Sequence, residues 1–282
     1  MGRLGIIAGG GELPHLAMSE AIHKGEDPLF LAVQESDFQS EKYQDRTIPI
    51  HIMQIGGVIK TCKKNNIDRL LLLGKVNKDI ILKSYKFDLK AILLMAKMLN
   101  KNDYSFFEIA AQEFAKEKIT IISQKTYLQS LLLEPGRYTK RKMSSDEIED
   151  VIYGMNMASE LARMDIGQSV IVMDKMALAL EAIEGTDETL KRGGVLSRQK
   201  GATLCKSSKP GQDERFDLPA IGLQTLQILK EYKYKTLAFR AGETIVINPK
   251  ELLKEAEKSK INIVSYSNAV DFPNLVKSQK HL

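Results

Sequence analysis

The sequence predicts an α/β chain, with an N-terminal Rossmann-like parallel-sheet domain followed by a mixed α+β C-terminal domain. Three observations predict it. Residues 1–130 alternate short apolar runs with amphipathic stretches, the order of strand, loop, helix and strand that builds parallel sheets with crossover helices. The first apolar run, residues 4–8, ends in Gly9-Gly10-Gly11 and leads into a helix-like segment. Beyond residue 140 the grammar changes to strand-like runs interrupted by glycines.

Each element follows from its local pattern. Residues 13–24 read as an amphipathic helix, 28–33 and 48–52 as the second and third strands, and 57–65 as a helix stopped by Asn65-Asn66. A fourth strand over 69–73 breaks at Gly74. Helices follow over 89–99 and 106–117, and 120–122 closes the domain as a strand. Residues 133–139 are a turn-rich link, and Lys140-Arg141-Lys142 is a short basic cluster. Ser144 and Glu147 have capping-box spacing and predict a helix over 146–164. Strands are expected over 168–173, 177–183, 203–206, 236–239, 244–247 and 262–265, and helices over 223–231 and 249–258. The expected domains are therefore 1–133 and 140–270, with 271–282 a polar tail that frays.

Composition excludes several classes. A chain of 282 residues with 43% hydrophobic and 27% charged content describes a folded globular protein with room for two cores. The net charge of +5 suits anionic ligands but is too weak to argue for nucleic acid, and Trp is absent. Cys62 and Cys205 are far apart in sequence and fit no metal spacing, so they read as thiols of a reducing compartment. No apolar run approaches the roughly 20 residues of a membrane span. With no signal-peptide pattern at the start, a cytoplasmic location is expected.

The glycine loop, residues 5–14, admits two readings. Backbone N–H groups at a helix N-terminus can receive a phosphate, or the glycines can serve a tight packing turn. Gly9-Gly10-Gly11 supplies the first two glycines of a dinucleotide fingerprint, but Pro14 stands at the third position, and no acidic residue after the second strand is an obvious ribose partner, Glu35 being the nearest candidate. Lys75 follows the fourth strand, at the edge where open α/β folds place ligands, and is either a phosphate contact or a solvated loop lysine.

Residues 181–219 hold the chemistry. Glu181, Glu184 and Asp187 form an acidic cluster, a basic run includes Lys206 and Lys209, and Asp213-Glu-Arg215-Phe-Asp217 follows. Carboxylates gathered without cations repel unless a metal, a proton or a basic group compensates. A fold joining these pieces would form a metal-assisted phosphate site. Hard oxygen donors suit Mg²⁺ or Mn²⁺, and the scattered histidines argue against zinc. Glu181 in a strand-like run is either a ligand or a solvent-facing residue. The Glu184-Gly-Thr-Asp187 stretch has turn grammar, and Pro219 and Gly211 favour a loop around Asp213 and Asp217. Asp165 and Gln168 fall in the connection after the long helix, where polar side chains can reach a ligand.

These motifs, in order, resemble one family: Gly5 to Pro14, Gly74-Lys75-Val76, Asp165-Ile-Gly-Gln168-Ser169, Glu181-Ala-Ile-Glu184-Gly-Thr186-Asp187 and Asp213 to Pro219. Together they are similar to the UDP-2,3-diacylglucosamine pyrophosphatases of lipid A biosynthesis, in the form unrelated to metallophosphoesterases. The resemblance covers about residues 3–266 and rests on five short motifs in series. It implies a cytoplasmic Mg²⁺-dependent hydrolase of two domains, with the substrate held between them, that releases UMP and 2,3-diacylglucosamine 1-phosphate by attack on the β-phosphorus. It implies Asp217 as the acid needed for activity, with Asp213 second. Metal ligands are then expected among Asp213, Asp217, Glu181, Glu184 and Asp187. Substrate contacts are expected from Gly9, Gly10, Gly11, Lys75, Gln168, Thr186, Lys206, Lys209 and Arg215. Met155, Met157, Leu161 and Met164 on the long helix are apolar residues that would suit acyl chains or a plain core. Peripheral contact with the membrane surface and a homodimer are compatible with this reading. The rivals are a non-catalytic nucleotide- or lipid-binding protein and a hydrolase of a non-acylated sugar nucleotide.

Overall fold

Strand β1 (Arg3–Ala8) is buried over all but its first residue, as an unbroken apolar run requires of the middle strand of a parallel sheet. The computed structural model describes residues 2–76, 87–99, 106–209, 211–216 and 218–282. They divide into two compact units, Met1–Gln129 with Asp213–Phe216, and Ser130–Gln212 with Asp217–Leu282.

In the first unit β1 leads through Gly9-Gly10-Gly11 to α1 (Leu13–His23), whose Pro14 falls in the first turn where its missing N–H costs no hydrogen bond. Then come β2 (Leu29–Val33), a 3₁₀ turn over Glu41–Arg46, β3 (Thr47–Ile50), α2 (Ile55–Lys64) and β4 (Ile67–Leu73). Helices α3 (Leu89–Leu99) and α4 (Phe106–Lys116), strand β5 (Thr120–Ile121) and the short α5 (Lys125–Leu128) complete it. All pairs are parallel, in the order β3-β2-β1-β4-β5. This is the expected Rossmann-like sheet, with the chain reversing at β1 so that the carboxyl ends of β1 and β4 flank the switch point. Asp88 caps α3 through the Ala91 N–H (2.8 Å) and also accepts from Gly56 N–H (2.6 Å), tying the starts of α2 and α3 together.

The second unit begins with β6 (Gly136–Arg137) and α6 (Ser145–Arg163). The capping box forms as its spacing predicts: the Ser144 hydroxyl accepts from Glu147 N–H (3.2 Å), and Glu147 accepts from Ser144 N–H (2.9 Å). Strands β7 (Ser169–Met173) and β8 (Met176–Leu180) are joined by Asp174-Lys175, both at positive φ, the geometry of a type I′ hairpin. Helix α7 (Thr186–Leu196), β9 (Thr203–Lys206), β10 (Ala220–Ile221), α8 (Leu223–Glu231), β11 (Thr236–Arg240), β12 (Ile245–Val246), α9 (Pro249–Lys258), β13 (Asn262–Tyr266) and α10 (Phe272–Leu275) follow. The main sheet runs β6-β13-β11-β9-β7-β8: β9, β11 and β13 are mutually parallel, and β6, β7 and β8 are antiparallel to their neighbours. One face packs Ile171, Leu204, Leu237 and Phe239 against α7, α8 and α9, and the other packs Val170, Cys205, Ala238 and Val264 against α6.

Two expectations are corrected here. The turn expected over Glu184–Asp187 ends before Thr186, and Thr186–Leu196 is a helix. Gly193 and Gly194, which lower helix propensity, are needed because a Cβ would come within 2.7 Å of Ile171 and 2.5 Å of Tyr232. The tail from residue 271 does not fray. Phe272 is buried, Arg137 donates to Val276 O (2.9 Å), and Lys280 N–H donates to Arg137 O (2.7 Å). Of the apolar residues on the long helix, Met155 and Leu161 take the plain-core reading on the α6 face, Met157 is half-buried against the same core, and Met164 is exposed.

Candidate functional site

The polar residues that matter gather at the carboxyl end of β9. Lys206 is its last residue, and the antiparallel register places Ser169, the first residue of β7, directly beside it. Glu181 follows β8, held by its N–H to Ser169 O (2.9 Å). Gly167 permits this close pass, since a Cβ there would lie 2.1 Å from Glu181 O. Thr186 is the first residue of α7, entered through Gly185 at φ +81°.

These four side chains meet at one oxygen. The Lys206 ammonium donates to Thr186 Oγ1 (2.9 Å), Thr186 donates to Glu181 Oε1 (3.0 Å), and the Ser169 and Thr186 hydroxyls lie 3.4 Å apart. Because the single Thr186 proton goes to Glu181, the Ser169 hydroxyl must be the donor of its pair. Lys206 is 6% exposed and Ser169 is fully buried. The other Glu181 oxygen, Oε2, is buried without a partner among the described residues. A carboxylate with one unpaired buried oxygen beside a buried ammonium is costly unless an outside group completes it. The group therefore has the composition of an anion or cation site, with a positive charge, two hydroxyls and an open carboxylate oxygen.

The chain continues from β9 as Ser207 and Ser208, both buried. Ser207 N–H donates to Gln168 O (2.9 Å), and the Ser208 hydroxyl donates to Glu243. Lys209 pairs with Asp165 (3.2 Å) and its N–H donates to Gln212 Oε1 (3.0 Å). Ser169, Ser207 and Ser208 are absent from the expected site residues. For Ser207 and Ser208 a signal was available, because they follow the carboxyl end of an apolar strand, whereas Ser169 opens its strand and reaches that edge only through the antiparallel pairing of β7 with β9.

The acidic cluster does not converge among the described residues. Glu184 accepts from Arg192 (2.7 Å), Thr189 (3.2 Å) and Ala182 N–H (3.1 Å), so it brackets the start of α7. Its carboxyl is held below the usual range by its own backbone N–H first and by Arg192 next. Asp187 accepts from Gln224 (2.9 Å) and links α7 to α8. Asp213 belongs to the first unit and is gripped by the Arg215 guanidinium (2.9 and 2.6 Å), which lowers its pKa. Arg215 stacks on Phe216, and Glu214 bonds Lys125 (2.6 Å) and Ser123 (3.1 Å), fixing residues 213–216 to the start of α5. Asp217 lies outside the described residues. Among the described residues no three His, Cys, Asp or Glu side chains are grouped so as to hold a metal ion.

The glycine loop of the first unit is explained by packing at two of its three positions. Gly9 N–H donates to Leu73 O, and Gly10 and Lys75 exchange both backbone hydrogen bonds, each 2.8 Å. A Cβ on Gly9 would lie 2.7 Å from Lys75 O, and one on Gly74 (φ +93°) 2.4 Å from Gly9 O. Gly11 (φ +97°) faces open space at the mouth of α1, and the Lys75 side chain is exposed, so these two keep room for a ligand. Glu35 is buried and accepts from Ile52 N–H (3.3 Å) with His51 at 2.8 Å, so it is engaged in a role other than ribose binding.

The sequence matches the family model of the LpxI N-terminal domain over residues 3–131 and that of the LpxI C-terminal domain over 134–264. A protein of Caulobacter vibrioides named UDP-2,3-diacylglucosamine pyrophosphatase LpxI is 26% identical over 267 residues, covering 91% of this chain and 95% of that one.

Proposed function

The chain belongs to the LpxI family, and from that premise we propose that it hydrolyses the pyrophosphate of UDP-2,3-diacylglucosamine to UMP and 2,3-diacylglucosamine 1-phosphate in lipid A synthesis. The observation that carries the chemistry is the Lys206–Thr186–Glu181 group at the carboxyl edge of the second sheet. Without substrate, Glu181 is an anion linked to the buried ammonium through the Thr186 hydroxyl. An arriving phosphate takes over Thr186 and Lys206 as donors, and the charge of Lys206 offsets that of the phosphoryl oxygens. Water adds to the β-phosphorus, the anhydride P–O bond breaks, and its electron pair leaves on the UMP oxygen. Asp217 is the proposed base for that water, on its place in the Asp213–Pro219 motif, and Lys209 and Arg215 are further phosphate contacts.

Mg²⁺ dependence is part of the proposal in a restricted form. The described carboxylates do not make a metal centre by themselves, but Glu181 has an open oxygen and suits a hard cation whose other ligands are phosphate oxygens and water. When bound, such an ion would neutralise charge on the phosphates. The exposed Leu89, Ile92 and Leu93, at i, i+3 and i+4 on α3, support a peripheral contact with a lipid surface. No helix among the described residues is long and apolar enough to cross a membrane.

The test is UMP release by the purified chain from the acylated substrate and from plain UDP-glucosamine, with and without EDTA. Release from the acylated substrate alone, abolished by EDTA, restored by Mg²⁺ and lost in Asp217→Ala and Lys206→Met, is expected. Equal turnover of both substrates would remove the acyl chains from the assignment, and a fully active Asp217→Ala would remove Asp217. Vesicle co-sedimentation that survives Ile92→Asp/Leu93→Asp would remove α3 as the lipid contact.

A further inference from the structure

The carboxyl edge of the second sheet has another polar centre on its other face. Phe239 of β11 is in register with Lys206 of β9, so their side chains share the α7 face, and Arg240, the next residue, projects to the α6 face. There the ends of β11 and β13 and the side of α6 border an open cavity of about 310 Å³. Arg240, Ser267, Asn156 and Ser159 line it with polar groups, and Tyr266 contributes a wall. Asn156 and Ser159, three residues apart on α6, present neighbouring side chains to it.

The charge balance of this cavity favours an anion. Arg240 is half-buried, donates one N–H to Ser267 O (2.8 Å) and sits over the Tyr266 ring (5.4 Å). A guanidinium carries five N–H donors, and among the described residues the contacts of this one are the Ser267 carbonyl and the Tyr266 ring rather than a carboxylate. The acid that also lines it, Glu160, is already held by Arg163 (2.6 and 2.9 Å). The Ser267 hydroxyl is buried with no partner among the described residues. A fixed cation and an unpartnered buried hydroxyl, at the strand ends where α/β sheets take ligands, form a partly built oxyanion receptor. We propose that this cavity is an anion site that takes a phosphoryl group, free or carried on a sugar, and that it is separate from the Lys206 centre. The stacked, planar guanidinium suits a bidentate phosphate contact, and the cavity is at the size where small-ligand sites begin, roughly 300 Å³.

The experiment is titration of the full chain with inorganic phosphate and with glucosamine 1-phosphate, followed by the amide shifts of Ser267 and Asn268, which report this cavity apart from the Lys206 centre. Saturable binding in the millimolar range or tighter is expected, weakened roughly tenfold or more in Arg240→Gln and in Ser159→Asp, and retained in Lys206→Met. Tighter binding of the sugar phosphate would assign the ligand as a sugar-borne phosphoryl group, and equal binding would assign the bare group. Circular dichroism of each variant separates lost binding from lost folding, and Ser159→Asp, on a helix side, keeps the test open if Arg240→Gln unfolds. The proposal is overturned by absence of saturable binding, by binding unchanged in a folded Arg240→Gln or Ser159→Asp, or by binding lost in Lys206→Met.

Discussion

Replacing Lys206 by Met tests the central group most directly. Hydrogen bonds of 2.9 and 3.0 Å through the Thr186 oxygen hold the ammonium and the Glu181 carboxylate close. At a separation of about 6 Å and an effective dielectric of about 20, their attraction is about 3 kcal/mol, and the partial exposure of Glu181 brings it nearer 2 kcal/mol. Lys206→Met should therefore destabilise the chain by about 3 kcal/mol, since a carboxylate with a buried orphan oxygen also loses its counter-charge. Glu181→Gln should cost about 1–2 kcal/mol, because the amide keeps an acceptor for Thr186. The double variant should be less destabilised than the sum by about 2 kcal/mol, as neither charge is then stranded. Urea unfolding followed by far-ultraviolet dichroism measures the cycle, and comparison of midpoints avoids assuming that the two units unfold together. Additivity within about 0.5 kcal/mol would refute the coupling of Lys206 and Glu181 through Thr186.

Further outcomes follow from other contacts. Gly74→Ala should lower stability by more than about 2 kcal/mol, since its Cβ meets the Gly9 carbonyl and its φ is positive; an unchanged melting temperature would contradict the packing role of the loop. The Glu113 carboxyl is pulled down to about 2 by hydrogen bonds from Lys116 and Lys90. Its stabilisation is thus present above the ordinary carboxylate pKa and lost as pH falls toward about 2. Glu113→Gln should flatten the acid limb of stability by less than about 1 kcal/mol, both lysines being partly exposed. Cys62 and Cys205 are buried, with the Cys62 thiol pushed up to about 12 by desolvation and Cys205 raised for the same reason. Both should react with a thiol reagent only at the rate of unfolding, and fast labelling of the native chain would contradict their burial.

The sequence by itself determined the main elements of the first unit and the parallel character of its sheet. Strand runs ending in glycine, followed by amphipathic stretches, leave few ways to bury both faces of β1 and β4, and the parallel order follows. The Ser144–Glu147 box was legible because capping is a contact between residues three apart. Local pattern could not reveal α7, because Gly193 and Gly194 read as breakers until Ile171 and Tyr232 are packed against them. Nor could it sort the carboxylates, which look alike as a cluster in sequence. Tertiary structure alone gives Glu184 to Arg192 and Asp187 to Gln224, and leaves Glu181 with an open oxygen beside Lys206. The physical reason is range: secondary structure and caps are fixed by neighbours along the chain, whereas a charge acquires its role from whichever opposite charge the fold brings within a few ångströms.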